Sequence, residues 1–438
     1  MRFDVDPTSV SIPKSLIILS IPMMLEMAAQ NLFNLVDTYF VSRIDYAAIG
    51  ALVTAGIIGV IFFSLAVGVA TASGIFVASH WGAKRRELAI SYYSNAIALA
   101  FGVGLLAMFV VWMFLSRILH LAGLKGVTFE YARQYLSVSL FAFVPNYIFY
   151  VNNTTIRSIA VPTIALKVMV VVNLLNAVLD PVFMFLLGFG IRGAAFATIF
   201  SLLIGIAAQT VLFRRHSFVF SPVLIELEKA KELVRKGFFA FLHLFFRVSS
   251  MLVIIRIIGE ISQAAVSAYG VVIRIYQVLL FIVFGMANAA FVVVGQNLGA
   301  GLFNRVRKAA FLSLLYAVAF VGTLDFALFV FRDPIVGFFV ENAHVRDIAL
   351  NVIFFYALSY PFVVASVISS KVSMALKDTE RPSIANLVNL WFFNVPLAYY
   401  LSLKMGDTGV WLAIALANFT AFVLNFLIMR SNLRRLRI

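Results

Sequence analysis

Twelve stretches of about twenty or more apolar residues follow one another along the chain, and they restrict it to one class of fold. They lie near 15–41, 47–79, 91–115, 130–153, 161–187, 192–213, 237–259, 264–295, 308–331, 347–371, 382–403 and 408–430. A run of about twenty apolar residues spans a bilayer as a helix. Charged or Gly/Pro-containing loops separate the runs. Only 12% of the 438 residues are charged, and the mean hydropathy is +1.02, where a soluble chain carries about 25% charged residues. The expectation is an all-α polytopic membrane protein of twelve transmembrane helices.

The net charge of +15 invites a nucleic-acid reading until the basic residues are placed. One set of alternate loops and the two termini collect 23 Lys and Arg, the other loops nine, and Arg247 and Arg274 remain inside spans. The richer side is expected to be cytoplasmic. This predicts a multi-pass protein of the cytoplasmic (inner) cell membrane with both termini inside, and it accounts for the charge with no nucleic-acid partner. Residues 1–14 are polar and show no signal-peptide pattern. Cysteine is absent, which excludes disulfides, zinc–thiolate sites and cysteine nucleophiles.

The chain repeats. HWGAKRRELA (80–89) resembles QNLGAGLFNRVRKA (296–309), and aligning Gly82 with Gly299 sets an offset of 217. Pro145 and Pro361, and Gly193 and Gly409, agree at 216. Six spans per half, an even number, give the halves one orientation, so they are expected to form two bundles related by a pseudo-two-fold axis along the membrane normal. Such bundles alternate access across a central cleft. The expected divisions are an N-terminal lobe (1–213), a cytoplasmic linker (214–236) and a C-terminal lobe (237–438). In the linker, Leu224, Leu227, Ala230 and Val234 share one face, which predicts a short amphipathic helix on the membrane surface.

Span one carries the densest polar signal. Glu26, Gln30, Asn34 and Asp37 fall within roughly 80° of one another on a helix, and Pro22 stands near its start. Lipid cannot solvate such a face, so it must meet protein or water, and a carboxylate there marks a functional site. Span five places Asn173, Asn176 and Asp180 on one face, with Pro181 directly after. A proline inside a helix frees the carbonyl four residues back, here Ala177. Freed carbonyls beside a carboxylate and an amide form a hard-oxygen site for a small cation, to which Thr198 of span six can add a hydroxyl. The repeat serves as a control: the positions equivalent to Asp37, Asn176, Asp180 and Thr198 are Ile254, Trp391, Val395 and Ile414. The architecture is duplicated and the polar constellation is not, which favours function over an interhelical network pinning spans one, five and six.

Other polar groups support weaker expectations. Arg247 and Arg274 read as structural residues or as lining of the C-terminal cleft wall, Asp325 as solvated near an outer span end, and His243 as a satisfied core histidine. Pro145 and Pro361 suggest a kink shared by equivalent spans. Met27 and Met169, with nearby rings, can line an adaptable apolar pocket.

Twelve spans in two halves, the IP-containing span with NLFNLVDTYFV, and the Gly-Ala loop after span two with its copy after span eight resemble the multidrug and toxic compound extrusion (MATE) transporters, in particular their DinF-like branch. The resemblance covers nearly the whole chain. It implies export of amphipathic or cationic small molecules by antiport against H⁺ and/or Na⁺, with no cofactor beyond the coupling ion. It implies a cation site of Asp37, Asn176, Asp180 and Thr198 in the N-terminal lobe, these four also being the Na⁺ ligands if sodium is used. A substrate cavity follows, including Gln30, Asn34, Tyr135 and Asn153 with Met27 and Met169, and a hinge at Pro22. Another branch uses acids in spans seven and ten; here those spans offer Arg247 and Lys371. Glu26 is an extra acid without a place in the family pattern. Membrane lipids and a monomeric state complete the expectation. The alternative on the same fold is a flippase of lipids or lipid-linked oligosaccharides, whose clefts are basic. A membrane enzyme is disfavoured by five scattered histidines without HExxH, and a channel by a single asymmetric ion site.

Overall fold

The computed structural model describes residues 5–216 and 218–436, and the side chains of Phe33, Asn34, Leu35 and Tyr46 fall outside the description. Arg2, Arg437 and the side chain of Asn34, all used above, therefore lie outside the described residues.

Among the described residues the chain forms α-helices joined by short turns, with no strand. In order these are α1 (Ile12–Val41), α2 (Tyr46–Gly82), α3 (Arg86–Leu121), α4 (Gly126–Ser139), α5 (Phe143–Ser158), α6 (Pro162–Pro181), α7 (Ile191–Arg214), α8 (Leu227–Ile261), α9 (Gln263–Gly299), α10 (Phe303–Val330), α11 (Arg332–Phe339), α12 (Ala343–Ala375), α13 (Glu380–Leu387), α14 (Val395–Met405) and α15 (Asp407–Arg435). Eleven continuous helical stretches are long and apolar enough to cross a membrane. The twelfth span is α4 and α5 together, broken by a 3₁₀ turn at Leu140–Ala142. π-helical turns follow α6 (Val182–Leu186) and α13 (Val388–Asn394).

The repeat read from the sequence recurs in the backbone. Asp45 caps α2 by accepting from Ala47 N at 2.9 Å, and Ser262, 217 residues on, caps α9 by accepting from Ala265 N at 2.9 Å. Left-handed residues come in pairs at the same spacing: Lys84 (φ 60°) with Gly301 (72°), Ala160 (64°) with Lys377 (68°), and Gly190 (55°) with Gly406 (63°). Three of these positions carry a Cβ where glycine would be easier, so the two turn sets are constrained by the fold rather than by residue type.

The chain divides into two compact units, Met1–Val5 with Leu25–Phe241 and Asp6–Met24 with Leu242–Ile438. The borders thus fall inside α1 and α8, not at 213 and 237. The linker belongs with the N-terminal unit because α3 holds it. Ser91 Oγ and Asn95 Nδ2 both donate to Leu224 O at 2.9 Å, Asn95 Oδ1 accepts from Glu226 N at 3.0 Å, and Ser94 Oγ accepts from Ser221 N at 3.0 Å. The expected separate surface helix is absent among the described residues: α8 runs unbroken from Leu227 through span seven. Over 227–240 its buried positions are Leu233, Gly237 and Ala240, whereas Leu227 and Val234 of the expected apolar face are 70% and 54% exposed. Gly237 passes Gly68 of α2 so closely that a Cβ on Gly68 would lie 2.5 Å from Gly237 O.

In the C-terminal unit, Gly285 of α9 meets the first half of α1. A Cβ there would lie 2.6 Å from the Met24 backbone. The kink expected at Pro145 and Pro361 is not shared. Pro145 sits in the first turn of α5, where its missing N–H breaks no helical bond, while Pro361 lies inside the unbroken α12.

Candidate cation site

Three side chains from α1 and α6 meet inside the N-terminal unit. Asp37 is 6% exposed, Asn176 and Asp180 0%. Asn176 Nδ2 donates to Asp180 Oδ1 at 3.3 Å across one helical turn. The Asp37 carboxyl neighbours both Asp180 and Asn176. Three buried oxygens, Asp37 Oδ1, Asn176 Oδ1 and Asp180 Oδ2, have no partner among the described residues. Two carboxyl groups at this separation repel unless a proton or a cation lies between them. Hard oxygens suit H⁺ or Na⁺.

The local sequence explains the site. Asp180 occupies the last turn of α6, and Pro181 ends regular α-hydrogen bonding there by lacking an N–H. The π turn that follows closes with Leu187 N donating to Val182 O at 2.9 Å, a wider geometry often found at functional positions. Gly193 of α7 permits the turn, since a Cβ there would lie 2.6 Å from Met184 N.

The other expected residues divide. Tyr135 of α4 stands beside Asp37 and Asp180. Thr198 of α7 donates to Ala194 O of its own helix at 3.1 Å; its lone pairs remain available, but it makes no hydrogen bond to the acids. Gln30 and Met27 are half-buried on α1. Met169 is 6% exposed in an apolar cluster with Ala29, Phe149, Val172 and Leu202. Pro22 is buried within the continuous α1. Asn153 belongs to a separate buried network: Gln209 Nε2 donates to Asn153 Oδ1 at 2.8 Å, Asn152 Nδ2 to Gln209 Oε1 at 3.0 Å, and Tyr93 Oη to Asn152 Oδ1 at 3.0 Å. Gln209 and Tyr93 were missed in the sequence, although a lone Gln in the apolar run of span six was a readable sign.

Glu26 has its partner in Arg157 of α5. Arg157 Nη1 lies 3.2 Å from Glu26 Oε1, with the side chains 5% and 2% exposed. Arg157 Nη2 also donates to Thr154 Oγ1 at 2.9 Å. Arg157 is therefore a buried helix residue and not a loop cation, which removes it from the 23 basic residues assigned to the inner side. α5 runs to Ser158, five residues beyond the end expected for span four at 153.

In the C-terminal unit the positions equivalent to Asp37 and Thr198 are buried apolar residues, Ile254 at 3% and Ile414 at 8% exposed, and the position equivalent to Asp180 is Val395. Asp325 is not solvated: it is 3% exposed and accepts from Tyr276 Oη at 3.0 Å. Arg274 is exposed on α9 with Ser267, Gly270 and Gln277 along the same face.

A twice-repeated six-span helical unit with a buried carboxyl pair in one copy is an arrangement suited to a membrane carrier. The sequence profile of the MatE family matches residues 22–182 and again 240–400, and the chain belongs to that family. The two matches start 218 residues apart, in register with the repeat. The chain is 25% identical over 425 residues to a FAD transporter of Shewanella oneidensis, covering 94% of this chain and 92% of that protein. It is 26% identical over 420 residues to the probable multidrug resistance protein NorM of Thermotoga maritima, covering 92% and 88%. Its fold is similar, with a TM-score of 0.90 over 99% and 98% of the chains at 23% identity, to an outward-facing multidrug resistance MATE family transporter of the MOP superfamily.

Proposed function

We propose that this MATE transporter exports amphipathic or cationic small molecules by antiport against H⁺ and/or Na⁺. The observation that carries the reading is the juxtaposition of Asp37, Asn176 and Asp180 with three unpartnered buried oxygens, in one half of a duplicated fold. A proton or Na⁺ at this position neutralises the pair. In this reading Thr198 of α7 adds a hydroxyl and Tyr135 of α4 borders the acids. Neutralisation favours a different packing of α1 about Pro22, and drug and ion compete because each prefers a different state of the carrier. The halves then alternate access within the cytoplasmic membrane, with both termini inside, and the protein acts as a monomer surrounded by lipid. The apolar and amide-bearing residues Met27, Gln30, Asn153 and Met169 line the solute path in this reading.

The test is ethidium efflux from proteoliposomes holding the purified full chain, with a pH gradient and a Na⁺ gradient applied separately. Efflux driven by at least one of them is expected. Efflux driven by neither, together with binding of a lipid pyrophosphate in preference to a dye cation, would establish the flippase instead.

A further inference from the structure

Arg247 is the least explained charge in the chain. It stands in the middle of α8 (Leu227–Ile261), half-buried, and among the described residues its guanidinium makes no hydrogen bond and no ion pair. Its contacts are the ring of Phe284, 5.4 Å away, and the neighbouring Tyr356 and Tyr360. A cation–π contact contributes about 0.5–2 kcal/mol. It leaves the five N–H donors of the guanidinium without a protein acceptor among the described residues, on a helix long and apolar enough to span a membrane.

No acid is held in reserve for it. Among the described residues Asp325 is the only buried carboxylate of this unit, and it accepts from Tyr276. Two further polar groups gather on the same side. His243 lies one turn before Arg247 and beside it and Lys371. Its carbonyl is held by Asn386 Nδ2 at 2.9 Å, while its Nδ1 is buried without a partner. Lys371 of α12 lies over the ring of Phe291 at 5.9 Å. A cation-rich cluster flanked by tyrosine and phenylalanine rings is thus built inside the C-terminal unit, where no anion among the described residues meets Arg247.

We propose that Arg247, with His243 and Lys371, binds an oxyanion, the phosphate or carboxylate of an amphipathic solute. A guanidinium presents parallel N–H groups that match such a group bidentately, and the adjoining rings suit the apolar part of the same molecule. The inference rests on the carrier reading above and extends its substrate class to solutes bearing a negative group.

Binding in neutral detergent separates this claim from transport. The purified full chain is melted with flavin mononucleotide and with riboflavin, which differ by one phosphate, and with short-chain phosphatidic acid and the matching diacylglycerol. In wild type the phosphate-bearing member of at least one pair should stabilise at about tenfold lower concentration than its neutral partner. A preference in the flavin pair identifies a free solute, and one in the lipid pair a headgroup. Arg247→Met should abolish the difference and Arg247→Lys should retain part of it; Arg247→Gln serves if the methionine variant does not fold. Equal stabilisation within both pairs in wild type, or an undiminished difference in Arg247→Met, overturns the proposal. Neither result depends on ethidium efflux, so the antiport reading can fail or stand independently.

Discussion

The side chains that the apolar pattern could not explain turn out to solve different problems. Asp37 and Asp180 have no basic partner among the described residues and leave oxygens without partners, whereas Glu26, although its Oε2 is unpartnered, is paired through Oε1 at 3.2 Å with a buried Arg157. A buried ion pair contributes little net stability compared with apolar residues, but removing one partner strands the other charge. Glu26→Gln should therefore destabilise the protein by about 3 kcal/mol, read as a fall in melting temperature in detergent. Combining it with Arg157→Met should recover most of that loss. Equal melting of the single and double variants would show that the pair is not energetically coupled. The polar face of span one was visible in the sequence, because a carboxylate in an apolar run has few explanations. Its division into one paired acid and one open acid was not, since Arg157 follows NNTT and looks like the start of a loop. Only packing of α5 against α1 reveals that it is inside.

At the scale of elements, hydropathy located the spans because bilayer thickness sets helix length. It could not reveal where helices touch. Gly285 brings α9 against the first half of α1 at a distance only glycine permits. Gly285→Ala should force the two apart and cost about 1–3 kcal/mol, measured by thermal unfolding. Gly322→Ala in α10, where a Cβ would meet nothing within 4 Å, should cost nothing and is the matched control. Similar melting of the two variants would contradict the close approach. The linker shows the opposite limit of sequence reading. Its i, i+3 apolar spacing suggested a free surface helix, but the polar residues of α3, Ser91, Ser94 and Asn95, hold its backbone at Ser221–Glu226. Hydrogen bonds between residues more than 120 positions apart leave no local pattern.

Over the whole molecule, duplication was the most legible feature, since matched Gly-Ala and proline positions reflect turns that both copies must make. The backbone carries it further than the residues do: Lys84 and Gly301, or Ala160 and Lys377, share a left-handed conformation without sharing a side chain. What distinguishes the two copies is charge. Among the described residues one half buries a carboxyl pair, while the other sets aromatic residues around Arg247 and gives its one deeply buried acid to Tyr276. This asymmetry between repeated halves is the physical basis for proposing that cation coupling resides in the N-terminal half. The direct measurement is gradient-driven ethidium efflux by proteoliposomes containing Asp37→Asn, Asp180→Asn or both. If the two acids act as one site, each single variant and the double variant should fall together by about tenfold or more, with ethidium binding retained. Wild-type-like antiport in either single variant would contradict the account.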